Sequence, residues 1–113
     1  MTLAHYPFVA GRACRLRFSV MGGNAYIALT EETRAPPRNV RSISAFSEEL
    51  LAGDYGLVVE RIVGERYRQP RTVEWDLSRF EGKDMRLYLV DVETDHYGQI
   101  ALSEVRITEE APR

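Results

Sequence analysis

One cysteine, Cys14, stands in 113 residues. That excludes an intrachain disulfide and a zinc site built on cysteines. Two histidines, His5 and His96, are too few for a histidine metal cluster. No apolar run approaches the ~20 residues that a membrane-spanning helix needs. Residues 1–7 lack the charged segment leading into an apolar one that marks a signal peptide. An excess of one charge is also missing: the formal net charge is -2, and the arginines are interleaved with acids. Nothing forms a basic footprint, so nucleic acid is not an expected partner, and neither is a membrane. There is no Gly-x-Ser-x-Gly elbow, no phosphate-binding glycine loop and no His-Glu-x-x-His pair. The chain reads as a binding domain, not an enzyme.

What is present is ordinary for a globular protein: 44% hydrophobic and 28% charged residues, a length that suits one domain spanning 1–113. Short apolar runs alternate with polar residues, and turn signals recur at roughly ten-residue intervals. Leu16, Phe18 and Val20 form one set, and Ala25, Ile27 and Leu29 a second. With Gly22-Gly23-Asn24 between them they read as a hairpin. Val73, Trp75 and Leu77 form a third set, Met85, Leu87 and Leu89 a fourth. Ile100 and Leu102 start a fifth that slips by one residue at Ser103-Glu104 before Val105 and Ile107, which predicts a bulge. Leu57–Val63 reads as a strand. Residues 46–52 fit a short helix capped by Ser47 or a strand, the strand being preferred. Residues 31–55 otherwise form an irregular crossing around Pro36-Pro37 and Arg34, Arg38 and Arg41, and residues 108–113 a flexible tail. This is an all-β, mostly antiparallel sandwich.

Residues 74–107 carry Trp75-Asp76-Leu77, Gly82-Lys83, Val90-Asp91 and Gly98-x-Ile100. This stretch resembles the closing half of galactose-binding-domain-like jelly rolls appended to bacterial glycoside hydrolases such as levanases and fructosidases. Phe8-Val9-Ala10-Gly11 and the run from Leu16 to Asn24 resemble that family's opening strands. The likeness covers about 75 residues at the two ends of the chain. It departs at Tyr97, where the family usually has tryptophan, at Gln99, where it often has histidine, and at Ser103-Glu104, where it has two acids. The resemblance implies a jelly-roll β-sandwich, a non-catalytic carbohydrate-binding accessory role beside a catalytic domain, and a secreted or periplasmic parent. The residues themselves suggest that Trp75 fills the core, that Asp76 accepts backbone hydrogen bonds with Ser78 nearby, and that Gly82 adopts positive φ.

Two loops concentrate chemistry. Residues 91–98 place Asp91, Glu93 and Asp95 beside His96 and Tyr97. The three carboxylates are a candidate calcium set. Tyr97 offers a stacking face, and His96, Asp91 and Asp95 offer partners for sugar hydroxyls. The second loop holds Arg66, Tyr67 and Arg68, whose guanidinium forks suit carboxylates or hydroxyls. Tyr26 and Tyr88 lie out of phase with the core, either exposed for stacking or lying under a covering segment. The alternative to sugar binding is a structural or protein-interaction sandwich with no sugar ligand.

Overall fold

Alternation becomes seven strands in the computed structural model, which describes residues 2–21, 25–63, 71–91 and 101–110. They are β1 (Thr2–Val9), β2 (Arg15–Met21), β3 (Tyr26–Glu32), β4 (Gly56–Val63), β5 (Arg71–Asp76), β6 (Asp84–Asp91) and β7 (Ala101–Thr108). One helix, α1 (Ile43–Leu51), and a 3-10 turn (Ser78–Phe80) complete the described elements. A four-stranded sheet runs β1-β6-β3-β4 and faces a three-stranded sheet ordered β5-β2-β7. All described ladders are antiparallel. The all-β sandwich expected from the pattern is therefore present.

The core lies between the sheets. Leu16, Phe18 and Val20 of β2 meet Ile27 and Leu29 of β3 and Met85, Leu87 and Leu89 of β6. Each side chain is buried, and each contributes about 1.5–3 kcal/mol by leaving water. The expected hairpin between the first two apolar sets does not form, because β2 and β3 belong to opposite sheets. Alternation reports which face of a strand is buried, and a strand arching across the core keeps the same alternation as one folding back beside its neighbour. The bulge does form: the β2–β7 register shifts between Arg17 and Ser19, opposite residues 103–106.

Residues 43–51 are helical, and Ser42, not Ser47, caps them by accepting the Ala45 N–H at 3.2 Å. Ser47 is buried instead, its hydroxyl hydrogen-bonded to that of Tyr26. Phe46, Ser47 and Leu50 form the buried stripe of α1. Gly53, at φ +92°, ends the turn and donates its N–H to Leu50 O. Residues 33–42 are irregular, as the sequence suggested, and Val40 from this stretch packs with α1 against the outer face of the four-stranded sheet. Tyr88 is wholly buried there with Phe46, Leu50, Tyr55 and Val90. Of the alternatives for Tyr88, the covered one is observed.

Asp76 Oδ1 accepts the Ser78 N–H at 2.9 Å, and that bond holds its carboxyl below the ordinary carboxylate range. Gly82 has φ +79° and donates to Ala10 O. Residues 108–110, placed in the tail by sequence, are held. Thr108 closes β7, Glu110 donates its N–H to Arg12 O at 2.9 Å, and Glu109 Oε1 accepts the Gly11 N–H at 3.2 Å. No described helix is long and apolar enough to cross a membrane.

Candidate functional site

β4 is an outer strand of one sheet and β5 an outer strand of the other. Between them runs an open groove of about 500 Å³. Its walls are consecutive residues, 61–63 of β4 and 71–75 of β5. Successive strand residues face opposite sides, so such a lining presents both inward and outward side chains together with the edge backbone. Val73 is buried, and Ile62 and Trp75 are half-buried against the core, which gives the groove an apolar floor. The Trp75 ring meets Phe18 edge-on at 5.0 Å between centroids. The sequence suggested that Trp75 fills the core; it sits half-buried at the core margin instead. The rim is polar: Arg61, Arg71, Thr72 and Glu74 are exposed. Arg15 Nη1 lies 3.0 Å from Glu74 Oε1, and the Arg61 guanidinium lies 5.6 Å from the centre of the Tyr26 ring.

The arginine–tyrosine loop candidate belongs to the connection between β4 and β5, so Arg66, Tyr67 and Arg68 flank this groove in sequence, but they lie outside the described residues. Glu93, Asp95, His96 and Tyr97 also lie outside them. Asp91 alone of the candidates is described. It ends β6 opposite Thr2 and is 4% exposed, more deeply set than an open loop ligand. Among the described residues no three histidine, cysteine, aspartate or glutamate side chains gather as a metal site. Cys14 is buried, and burial pushes its thiol up, which keeps it protonated and unreactive at neutral pH.

Sequence reading missed the groove because its walls come from two strands whose edge positions follow from long-range pairing. The usable signal was the position of Trp75 in a short polar strand, Arg-Thr-Val-Glu-Trp-Asp, with only two apolar side chains. A second, smaller groove of about 230 Å³ separates residues 37–42 from α1, with Arg41 and Glu49 on its border.

A polar cluster crosses the outer face of the four-stranded sheet. Arg86 Nε donates to Glu32 Oε1 at 2.5 Å, and Arg86 Nη1 lies 2.7 Å from His5 Nδ1. That geometry needs an unprotonated Nδ1 acceptor. Burial, and then the neighbouring guanidinium, lower the His5 pKa from its ordinary 6.5, while Glu32 opposes them. The folded state therefore binds this proton less readily than the unfolded chain, and its stabilising contribution is present above the ordinary imidazole range and lost as pH falls through the folded value. The urea midpoint of the parent should fall more steeply below about pH 6.5 than that of His5→Gln. Superimposable profiles would remove His5 from the pH dependence.

No protein-family model matches the chain, and neither a curated protein nor a solved structure matches it significantly.

Proposed function

We propose that the chain is a non-catalytic carbohydrate-binding module on a jelly-roll sandwich, with the β4–β5 groove as its site. The supporting observation is Trp75, a half-buried ring on the floor of an open groove whose rim carries Arg61, Thr72 and Glu74. An apolar platform with a few polar groups beside it is the usual build of a small-ligand site, and ring faces stack on sugar C–H groups. The jelly-roll reading draws on strand order. Every connection except β3 to β4 passes between sheets, and β1-β6-β3-β4 facing β5-β2-β7 agrees with the order expected of a jelly roll counted from its second strand.

The test is a glycan-array screen with and without calcium, followed by titration of Trp75→Leu against the best ligand. The expected result is binding to a defined sugar class, weakened by about tenfold or more in the variant while its circular dichroism is retained, since leucine keeps apolar contact with Phe18 and loses the ring. Calcium dependence would implicate Asp91, Glu93 and Asp95. An unchanged isotherm for Trp75→Leu removes the groove from the site.

A second reading, a protein-interaction module, has its own observation. The position beside β7 that an eighth jelly-roll strand takes is not filled among the described residues. On that flank Tyr6 is 52% exposed and Val105 and Ile107 are each 41% exposed. A blank glycan array together with self-association in sedimentation would favour this reading.

A further inference from the structure

The crossing between β3 and α1 has the build of a recognition segment. No acid stands between Glu32 and Glu48, a span that holds Arg34, Arg38, Arg41 and the Pro36-Pro37 pair. A proline ring fixes its own φ at about −65° and keeps the residue before it out of helical backbone, so Ala35 and Pro36 are both held extended. The chain bends at Arg34 and again at Arg38, and it runs straight between them. Both ends of this stretch are fastened. The N–H groups of Thr33 and Arg34 donate to Tyr55 O at 3.1 and 3.4 Å, and the Arg34 guanidinium lies 5.4 Å from the centre of the Tyr55 ring. Val40, at the other end, packs with α1. Between the fastenings Ala35, Pro37, Arg38 and Asn39 are exposed. Among the described residues no hydrogen bond uses the backbone of residues 35–41, and no carboxylate lies within ion-pair distance of Arg38 or Arg41. The groove of about 230 Å³ separates Pro37 and Asn39 from Ala45 and Phe46 of α1, so the stretch is open on its helix side as well.

We infer that residues 35–38 are a polyproline II ligand for a protein whose groove is lined by aromatic rings and bordered by carboxylates. That backbone has no internal hydrogen bonds, so its carbonyls are presented to a partner's N–H and O–H donors while rings pack on Pro37. Arg38 follows directly and brings a guanidinium fork to a carboxylate at the groove's border. Two prolines and two fastened ends leave little chain freedom to lose on docking. None of these residues lines the β4–β5 groove, and the contact is independent of sugar binding.

The experiment measures the intact chain against a panel of purified WW and SH3 domains with acidic loops by surface plasmon resonance. Micromolar binding by at least one domain is expected, weakened about tenfold or more in Pro37→Ala and in Arg38→Gln and unchanged in Trp75→Leu. Pro37 and Arg38 are exposed, so both variants should melt as the parent does. In nitrogen-labelled chain, the amides that shift on binding should be those of residues 33–42. No binding by any domain would overturn the inference. So would loss in Arg38→Gln with full binding kept in Pro37→Ala, which is a contact of charge alone. Amide shifts confined to residues 61–63 and 71–75 would move the contact to the β4–β5 groove and overturn it too. Binding to phosphatidylserine vesicles that depends on Arg38 and Arg41, with no domain bound, would replace the protein partner by a lipid surface.

Discussion

Alanine at position 56 is expected to cost about 3 kcal/mol or more, enough to unfold much of a domain whose whole stability is on the order of 5–15 kcal/mol. Gly56 starts β4 opposite Glu32 with φ +139°, in a region that side chains rarely adopt. A Cβ added there would overlap Glu31 O, and it would lie 3.0 Å from Glu31 C and 3.1 Å from Glu32 Cα. All three obstacles are backbone, so no rotamer change relieves them. The β3–β4 ladder would have to open at its first pair. Strain in the residue itself adds about 1–3 kcal/mol. Gly53→Ala is the control. It has φ +92°, but its nearest obstacle is Gly56 O at 3.8 Å, so its cost is conformational alone, near 1 kcal/mol. Urea titrations of the parent and both variants separate the two cases. Equal midpoints for Gly53→Ala and Gly56→Ala would contradict the close approach of β4 to β3. The position also bears on the groove, since β4 forms one of its walls and Gly56 begins that strand.

That glycine shows where the sequence is readable and where it is not. Gly56 is followed by a β-branched run, so the strand from Leu57 to Val63 is legible, but nothing local says that Glu31 backbone crosses in front of it. The same division holds elsewhere. The Ser103-Glu104 slip, the Asp76–Ser78 bond and the positive φ of Gly82 are local events, written in neighbouring residues and observed as expected. The partner of β2 is a long-range fact. Phe18 and Ile27 carry the same period whether their strands are adjacent or face each other across the core, so the hairpin and the arch look alike in sequence. The helix was ambiguous because its buried stripe is only Phe46, Ser47 and Leu50, and because two serines, Ser42 and Ser47, compete as caps. Tyr26 decides between them by binding Ser47, a contact across 21 residues. The groove is the extreme case. Its residues are individually unremarkable, and Trp75, Arg61 and Arg71 line one groove only because β4 and β5 are both outer strands on one flank of the sandwich.

Removing Glu32 should destabilise the domain by about 3 kcal/mol, toward the lower end of the range for stripping one partner from a buried ion pair. The pair is mostly shielded, with 11% of the Arg86 side chain and 17% of the Glu32 side chain exposed. Glu32 takes Arg86 Nε through Oε1 and approaches Arg86 Nη2 through Oε2 at 3.5 Å, while His5 occupies Nη1. In Glu32→Ala the guanidinium keeps the neutral imidazole but loses its counter-charge in a shielded position, and that desolvation is what costs stability. Glu32→Gln should recover part of the loss, because an amide oxygen still accepts a hydrogen bond while the charge is gone. Tyr88 is the contrast within the same layer. Its ring lies 5.9 Å from that of His5, burial pushes its phenol up to about 12, and its hydroxyl has no hydrogen-bond partner among the described residues. Tyr88→Phe keeps the ring contacts with Phe46 and His5 and should stay within about 1 kcal/mol of the parent. Urea midpoints at neutral pH for the three variants test the ordering, with Glu32→Ala lowest, Glu32→Gln between, and Tyr88→Phe nearest the parent. If Tyr88→Phe fell as far as Glu32→Ala, the stability of this face would rest on the phenol and not on the ion pair. If Glu32→Ala left the midpoint unchanged, the Arg86 guanidinium would have to be solvated once its partner is gone, and the cluster would contribute nothing to holding β1, β6 and β3 together.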